Sequence, residues 1–270
     1  MKTDHYRIKP SDAVVLPDWP ADETDGFEGK KVDAVPLIDE QSTKLFDLQQ
    51  LLYADNRHKV LIVLQGMDTS GKDGTIKHVF KMVNPLGVKV ANFKRPNNVE
   101  LEHDYLWRVH HNTPRNGEIA IFNRSHYEDV LVVRVHDLVP EQVWQKRYDH
   151  IRHFEQLLAD EGTVIRKFFL HISRDEQRKR LQERLDNPAK HWKFEHGDIE
   201  ERQHWGAYTD AYEEAIARTS TADAPWYVIP SDKKWYRNLL ISTILVETLE
   251  SLDLRYPEPT MDLAGIAIDP

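Results

Sequence analysis

Gly66, Gly71 and Lys72 stand at the spacing G-x-x-x-x-G-K, with Gly74 and Thr75 directly behind them. Glycines so placed let a backbone curl until several N–H groups converge on one point, and the lysine adds a full positive charge there. A ligand with many anionic oxygens, such as a terminal phosphate, suits that arrangement. Ser70 completes the candidate phosphate-binding set of Gly66, Ser70, Gly71, Lys72, Asp73, Gly74 and Thr75. Asp73 takes the position where a hydroxyl usually holds Mg²⁺. A carboxylate there can bind the metal or cap the next helix. Asp68, inside the loop, is a second acid among expected phosphates. Such a group is repelled unless a cation lies between, so Asp68 is expected to hold a metal or to face an acceptor, with a solvent-facing loop acid as the plain alternative.

Three further clusters carry charge suited to the same chemistry. Lys94 and Arg95 end an alternating apolar run, 88–93. Another apolar run, 117–122, ends in Asn123-Arg124-Ser125-His126-Tyr127-Glu128-Asp129, the densest polar stretch of the chain. Glu128 and Asp129 are acids just past a strand, as a metal- or nucleotide-binding element requires, and Arg124 has the planar fork that grips phosphate oxygens in pairs. The competing structural reading makes Ser125 a helix cap with Glu128 as the far member of a capping box. Both readings can hold together. Arg180 and Arg184 share one face of a basic helix over 175–185, followed by Lys190, Trp192 and Lys193. A helix and loop of this kind are expected to act as a lid that brings arginines to the reacting phosphates and excludes water, the alternative being an ordinary solvated helix. Lys77 and Lys81 lie one helical turn apart and are candidates to line a polyanion channel, with a solvated helix face as the equal alternative.

The elements that must position these groups alternate along the chain. Apolar runs at 60–64, 88–93, 117–122, 164–172 and 226–230 predict strands; the fourth is interrupted by Arg166 and Lys167. Helical periods are expected at 39–57, 75–83, 99–112, 140–160, 198–218 and from Ser231 to Leu249. The first strand is a nearly unbroken apolar run, as strands of buried parallel sheets are. Residues 1–38 contain Pro10, Pro17, Pro20 and Pro36 and are expected to form an extended arm; residues 257–270 form a tail. Alternation throughout predicts one three-layer α/β domain over 39–256, with a lid at about 174–197. His103, His110 and His111 do not share a helical face, and His150 with His153 lacks a third ligand, so neither group is expected to hold a metal. Phe93, Tyr127 and Trp192 are candidates to stack on a base, with core packing as the simpler expectation.

Charged residues make up 30% of the 270-residue chain, the formal net charge is −9, and cysteine is absent. A broad nucleic-acid or anionic-membrane surface is not expected from that balance, and disulfides, thiolate catalysis and Cys-ligated zinc are excluded. No apolar leader or membrane-length run is evident, so the cytoplasm is the expected address.

With these motifs in place, the chain resembles the polyphosphate kinase 2 family, and most closely its class III members. The resemblance spans roughly residues 40–256 and rests on three stretches: 66–74, 122–129, and 180–193 from Arg180-Leu181-Gln182 to His191-Trp192-Lys193. Asp73 after the lysine fits that family's own pattern. The resemblance implies a P-loop kinase fold similar to thymidylate kinase, with a five-stranded parallel sheet and a helical lid. It implies functional roles for Asp68, Lys72, Arg124, Arg180 and Arg184; beside it, the residues themselves are read as phosphate-binding at Lys77, Lys81, Lys190 and Lys193, nucleotide-binding at Lys94, Arg95, Asn123, Glu128 and Asp129, and metal-binding at Asp68. It further implies Mg²⁺, with Mn²⁺ as a substitute, inorganic polyphosphate as donor, adenine and also guanine nucleotides as partners, and a homo-oligomer, dimer or tetramer. An ATP-dependent nucleoside monophosphate kinase would use the same loop and lid. A nucleotide-dependent switch would need a base-specificity motif such as Asn-Lys-x-Asp, which is absent.

Overall fold

The structure is a computed structural model that describes residues 1–264 and 266–268. Five parallel strands form one sheet: β1 (Lys59–Gln65), β2 (Val88–Asn92), β3 (Ile119–Asn123), β4 (Thr163–His171) and β5 (Trp226–Pro230), in the order β2-β3-β1-β4-β5. The helices are α1 (Lys31–Asp55), α2 (Lys72–Val79), the one-turn α3 (Asn98–Leu101), α4 (Trp107–His110) and α5 (Val132–Val135), then α6 (Glu141–Asp160), α7 (Arg174–Asp186), α8 (Gly197–Gln203), α9 (Trp205–Thr219) and α10 (Lys234–Glu250).

β1 is central, which explains its apolar run. Val60, Ile62 and Leu64 face a core shared with α1, α2 and α10, whereas Leu61 and Val63 face a second core shared with α6 and α9. The three-layer α/β architecture is therefore as expected. Its central strand also fixes the site. In open parallel sheets ligands bind beyond the carboxyl ends of the strands where the order reverses, and here β3 and β4 flank β1 on opposite sides.

Three helical expectations are corrected. The helix expected over 39–57 begins at Lys31 and contains Pro36. A proline there deletes one hydrogen bond to the carbonyl of Val32, and Val32 is exposed, so that carbonyl is not left in an apolar interior. The helix expected over 99–112 is two separate turns, α3 and α4. Asn97 and Glu100 close a capping box on α3, and Asp104 then turns the chain by accepting from the N–H of Leu106. The helix expected over 198–218 breaks at His204 into α8 and α9.

The N-terminal arm is packed. Tyr6, Ile8, Val14 and Leu16 are buried. Arg7 forms an antiparallel bridge with Tyr227, the Ile8 N–H donates to the Trp226 carbonyl, and Ser220 Oγ donates to the Ile8 carbonyl. The arm thus lies along the free edge of β5. Among the described residues no helix is long and apolar enough to cross a membrane.

Candidate active site

β1 delivers its chain directly into the glycine loop. Gly66 has φ +149°, and a Cβ on it would lie 2.7 Å from the Leu170 carbonyl oxygen, so only glycine lets the loop pass over β4. Gly71 has φ +111°, and a Cβ there would collide with the Arg237 guanidinium. The first bond of α2 runs from the Thr75 N–H to the Gly71 carbonyl, so the N–H groups of Lys72, Asp73 and Gly74 have no partner within the helix. Free N–H groups at a helix start can bind an anion, and Lys72 belongs to this same turn.

Lys72 Nζ lies 2.6 Å from the Gly66 carbonyl and 3.3 Å from that of Met67. Burial, with the nearby Arg124 charge, pulls its pKa down to about 8. Its charge is therefore held at the loop without a directly bonded carboxylate.

β3 pairs with β1 through Leu64 and Asn123, so the polar stretch after β3 emerges beside the loop. Arg124 has φ +61°, a left-handed conformation uncommon for a non-glycine residue. Its guanidinium donates to Asp68 at 2.7 Å and to Glu128 at 3.4 Å. The Glu128 and Asp68 carboxylates keep it firmly protonated. Asn123 donates to Asp73 at 2.9 Å and to Asn92 at 2.7 Å, while Lys193 from the lid lies 3.7 Å from Asp73. Asp73 makes no capping bond to α2; it faces the second motif and the lid. The capping box expected at Ser125 and Glu128 is not formed. Ser125 Oγ accepts from the Tyr127 N–H, but Glu128 is turned to Arg124. Asp129 accepts from Arg147 at 3.0 Å, yet burial raises its pKa to about 6.

These groups line one cleft of ≈ 2660 Å³, which also takes in Lys77, Lys94, Arg95, Lys190 and Lys193. Four expected phosphate or catalytic contacts are placed otherwise. Lys81 falls beyond the end of α2 and pairs with Asp39 of α1 at 2.9 Å, away from the cleft. Ser70 and Thr75 are fully buried beneath the loop, and their N–H groups are taken by the Met67 and Gly71 carbonyls. Arg180 has no free donor. Its guanidinium gives hydrogen bonds to Glu176 and to the carbonyls of Thr69, Ser70, Ser231 and Asp232, all within 2.6–3.0 Å. It clamps the phosphate loop to the root of the lid. Arg184 is tied to Asp198 and to the Lys193 carbonyl through one nitrogen, leaving the rest of its fork on the cleft.

Sequence reasoning missed Arg237, which donates to the Ser70 carbonyl and whose pKa burial lowers to about 9 with help from the Arg180 charge. Its signal was an arginine one turn into α10, just before the apolar run that starts at Leu239. Gln177 was missed too; it is buried on α7 and donates to the Asp68 carbonyl at 3.0 Å. Of the candidate stacking aromatics, Phe93 and Tyr127 are core residues, but Trp192 is 78% exposed with Lys193 above its ring.

The comparisons with known proteins agree with the fold that carries this site. The family described as Polyphosphate kinase 2 (PPK2) matches residues 29–257. An AMP/ADP-polyphosphate phosphotransferase of Meiothermus ruber is 60% identical over 264 residues, covering 98% of this chain and 99% of the relative. An ADP-polyphosphate phosphotransferase of Rhodopseudomonas palustris is 47% identical, with 96% and 94% covered. The crystal structure of polyphosphate kinase 2 from Arthrobacter aurescens TC1 superposes with a TM-score of 0.93 at 40% identity, covering 97% of this chain and 93% of that one.

Proposed function

Because this chain belongs to the polyphosphate kinase 2 family, we propose that it transfers the terminal phosphoryl group of inorganic polyphosphate to nucleoside mono- and diphosphates, AMP to ADP and ADP to ATP, reversibly. The observation that carries this reading is the junction of Lys72, Asp68 and Arg124 at the carboxyl edges of β1 and β3, inside a cleft that Lys77, Lys190 and Lys193 also line. Cations beyond those a single nucleotide needs suit a long anionic donor.

In the proposed reaction an oxygen of the acceptor's terminal phosphate attacks the terminal phosphorus of the polymer. The bond from that phosphorus to the bridging oxygen breaks, and the polymer leaves one unit shorter. The attacking oxygen is already anionic, so no strong base is needed and catalysis is positioning and charge neutralisation. Lys72 and the α2 N–H groups cradle phosphate. Arg124, pre-set by Asp68 and Glu128, and the free edge of Arg184 stabilise the transferring group. Arg180 acts as a clamp on the loop. We assign Lys94, Arg95, Asn123, Glu128 and Asp129, which line the same cleft, to the acceptor nucleotide.

The donor set suits Mg²⁺, with Mn²⁺ as a substitute. Asp68 offers a hard oxygen, and a small dication in such sites takes one or two carboxylates and completes its shell with phosphates and water. Among the described residues no three His, Asp or Glu side chains are grouped to hold a metal by themselves, so Asp68 would hold it jointly with the substrates. When bound, the metal would offset the charge of the donor and acceptor phosphates. We assign the reaction to residues 39–256, with residues 174–197 as the lid, in a homo-oligomer.

The test is to mix purified protein, Mg²⁺, long-chain polyphosphate and either AMP or ADP, and to follow ADP and ATP by chromatography. Guanine nucleotides run alongside. ATP formed from AMP through ADP, and absent when polyphosphate is omitted, supports the full reading. Product from one acceptor alone narrows it to that acceptor. Activity only with ATP and a nucleoside monophosphate overturns it.

A further inference from the structure

Lys167 interrupts the apolar run of β4 and is fully buried. Its ammonium gives three hydrogen bonds: to Glu155 of α6 at 2.6 Å, to the Tyr127 hydroxyl at 2.9 Å and to the Thr219 carbonyl at the end of α9 at 2.7 Å. It also lies 5.4 Å and 5.2 Å from the centres of the Tyr127 and Trp226 rings. Glu155 answers with its other oxygen, which accepts from the Tyr127 hydroxyl at 2.8 Å and faces His126 Nε2 at 3.2 Å. Burial pushes the Glu155 carboxyl up, but Lys167 and His126 more than reverse this and hold it below the usual range.

A buried ion pair is a poor device for stability alone, since desolvation consumes most of the attraction. Its value here lies in what it grips. His126 and Tyr127 belong to the turn that begins with Arg124, and this cluster holds both side chains from below. On the upper side, Gln65 of β1 donates to Ser125 Oγ. The turn is thus fixed at three consecutive residues, which over-determines the left-handed backbone of Arg124.

We infer that the Lys167–Glu155–Tyr127 cluster positions Arg124 for phosphoryl transfer, although none of the three lines the cleft. This rests on the proposed role of Arg124. The cluster sets the direction of the guanidinium fork toward Asp68, so loosening it costs turnover while leaving substrate binding in place.

The experiment is a double-mutant cycle on kcat and KM with polyphosphate and ADP, with rates expressed per folded molecule from thermal melts. Tyr127→Phe removes one hydroxyl and keeps the ring. It is expected to lower kcat about tenfold with both KM values within about twofold. In an Arg124→Lys background, where the fork is already lost, the same change is expected to alter kcat by less than about twofold. Equal losses in both backgrounds, or an unchanged kcat in Tyr127→Phe, would overturn the inference. Lys167→Met with Glu155→Gln removes both charges together and serves as the second variant if Tyr127→Phe folds poorly; the same two outcomes apply to it. An unsubstituted protein without polyphosphate-dependent turnover would overturn the proposed reaction and this inference with it, whereas an active one with equal losses overturns the inference alone.

Discussion

The root and the tip of the lid are both rich in cations, and they use them in opposite ways. At the root, Arg180 is 6% exposed and every donor of its guanidinium meets a protein oxygen. Arg237 beside it is 2% exposed and grips the Ser70 carbonyl. At the tip, Lys190 and Lys193 sit 3.6 Å and 3.7 Å from single exposed carboxylates, and Trp192 stands in solvent. The difference separates two jobs that charge alone does not distinguish. Positive charge at the root shapes the loop through carbonyls; positive charge at the tip remains available to a polyanion.

The sharpest way to break this comparison is Arg180→Ala. Four carbonyls and Glu176 lose their partner, and we expect a loss of about 3–5 kcal/mol in urea unfolding together with loss of turnover. Arg180→Lys should recover little of either, since three donors on a point charge cannot replace a fork that meets five oxygens. Turnover retained in Arg180→Ala would show that the root is not what holds the loop.

Next in size is Lys72, on the glycine loop that the root clamps. Its cation is present below about pH 8 and is lost as pH rises through that value. The profile of kcat/KM should therefore fall on the alkaline side near pH 8, and Lys72→Arg should remove that limb at reduced rate. Lys72→Ala should lower kcat by about a hundredfold or more. A limb that persists in Lys72→Arg belongs to another group.

The smallest effects are expected at the tip. Lys190→Ala and Lys193→Ala should each shift unfolding by less than about 0.5 kcal/mol, because exposed pairs contribute little. The KM for polyphosphate should rise about threefold in each, and the difference should fade in high salt. A tip substitution that destabilised the fold as much as Arg180→Ala would erase the distinction.

The contrast also explains what the sequence could reveal. β1, the loop and the presence of α2 were legible because apolar period, glycine spacing and lysine all reflect local requirements, although α2 runs Lys72–Val79 and not 75–83. Arg180 and Arg184 were indistinguishable as an i, i+4 pair on one helix; what separates them is that one meets carbonyls from β1's loop and from after β5, and the other meets Asp198. Arg237 reaches Ser70 from 167 residues away, a distance no local pattern encodes. Ser70 and Thr75 counted as ligands only by standing in or beside the glycine stretch, yet both are buried beneath it. The break between α3 and α4 was signalled by Asn97, Glu100 and Asp104, which a helical period masks when it is followed through them.

The arm along β5 has a consequence for handling the protein. A parallel sheet ends in two rows of backbone groups ready to accept another strand, and here β2 is one of them. The other is closed by Arg7 and Ile8 through the bridge to Tyr227 and the bond to Trp226. Trimming the first eight or so residues to tidy an expression clone would uncover that row and the apolar ground beneath Tyr6 and Ile8. The shortened protein is expected to pair strand with strand between neighbouring molecules, which a concentration-dependent rise in mass would reveal.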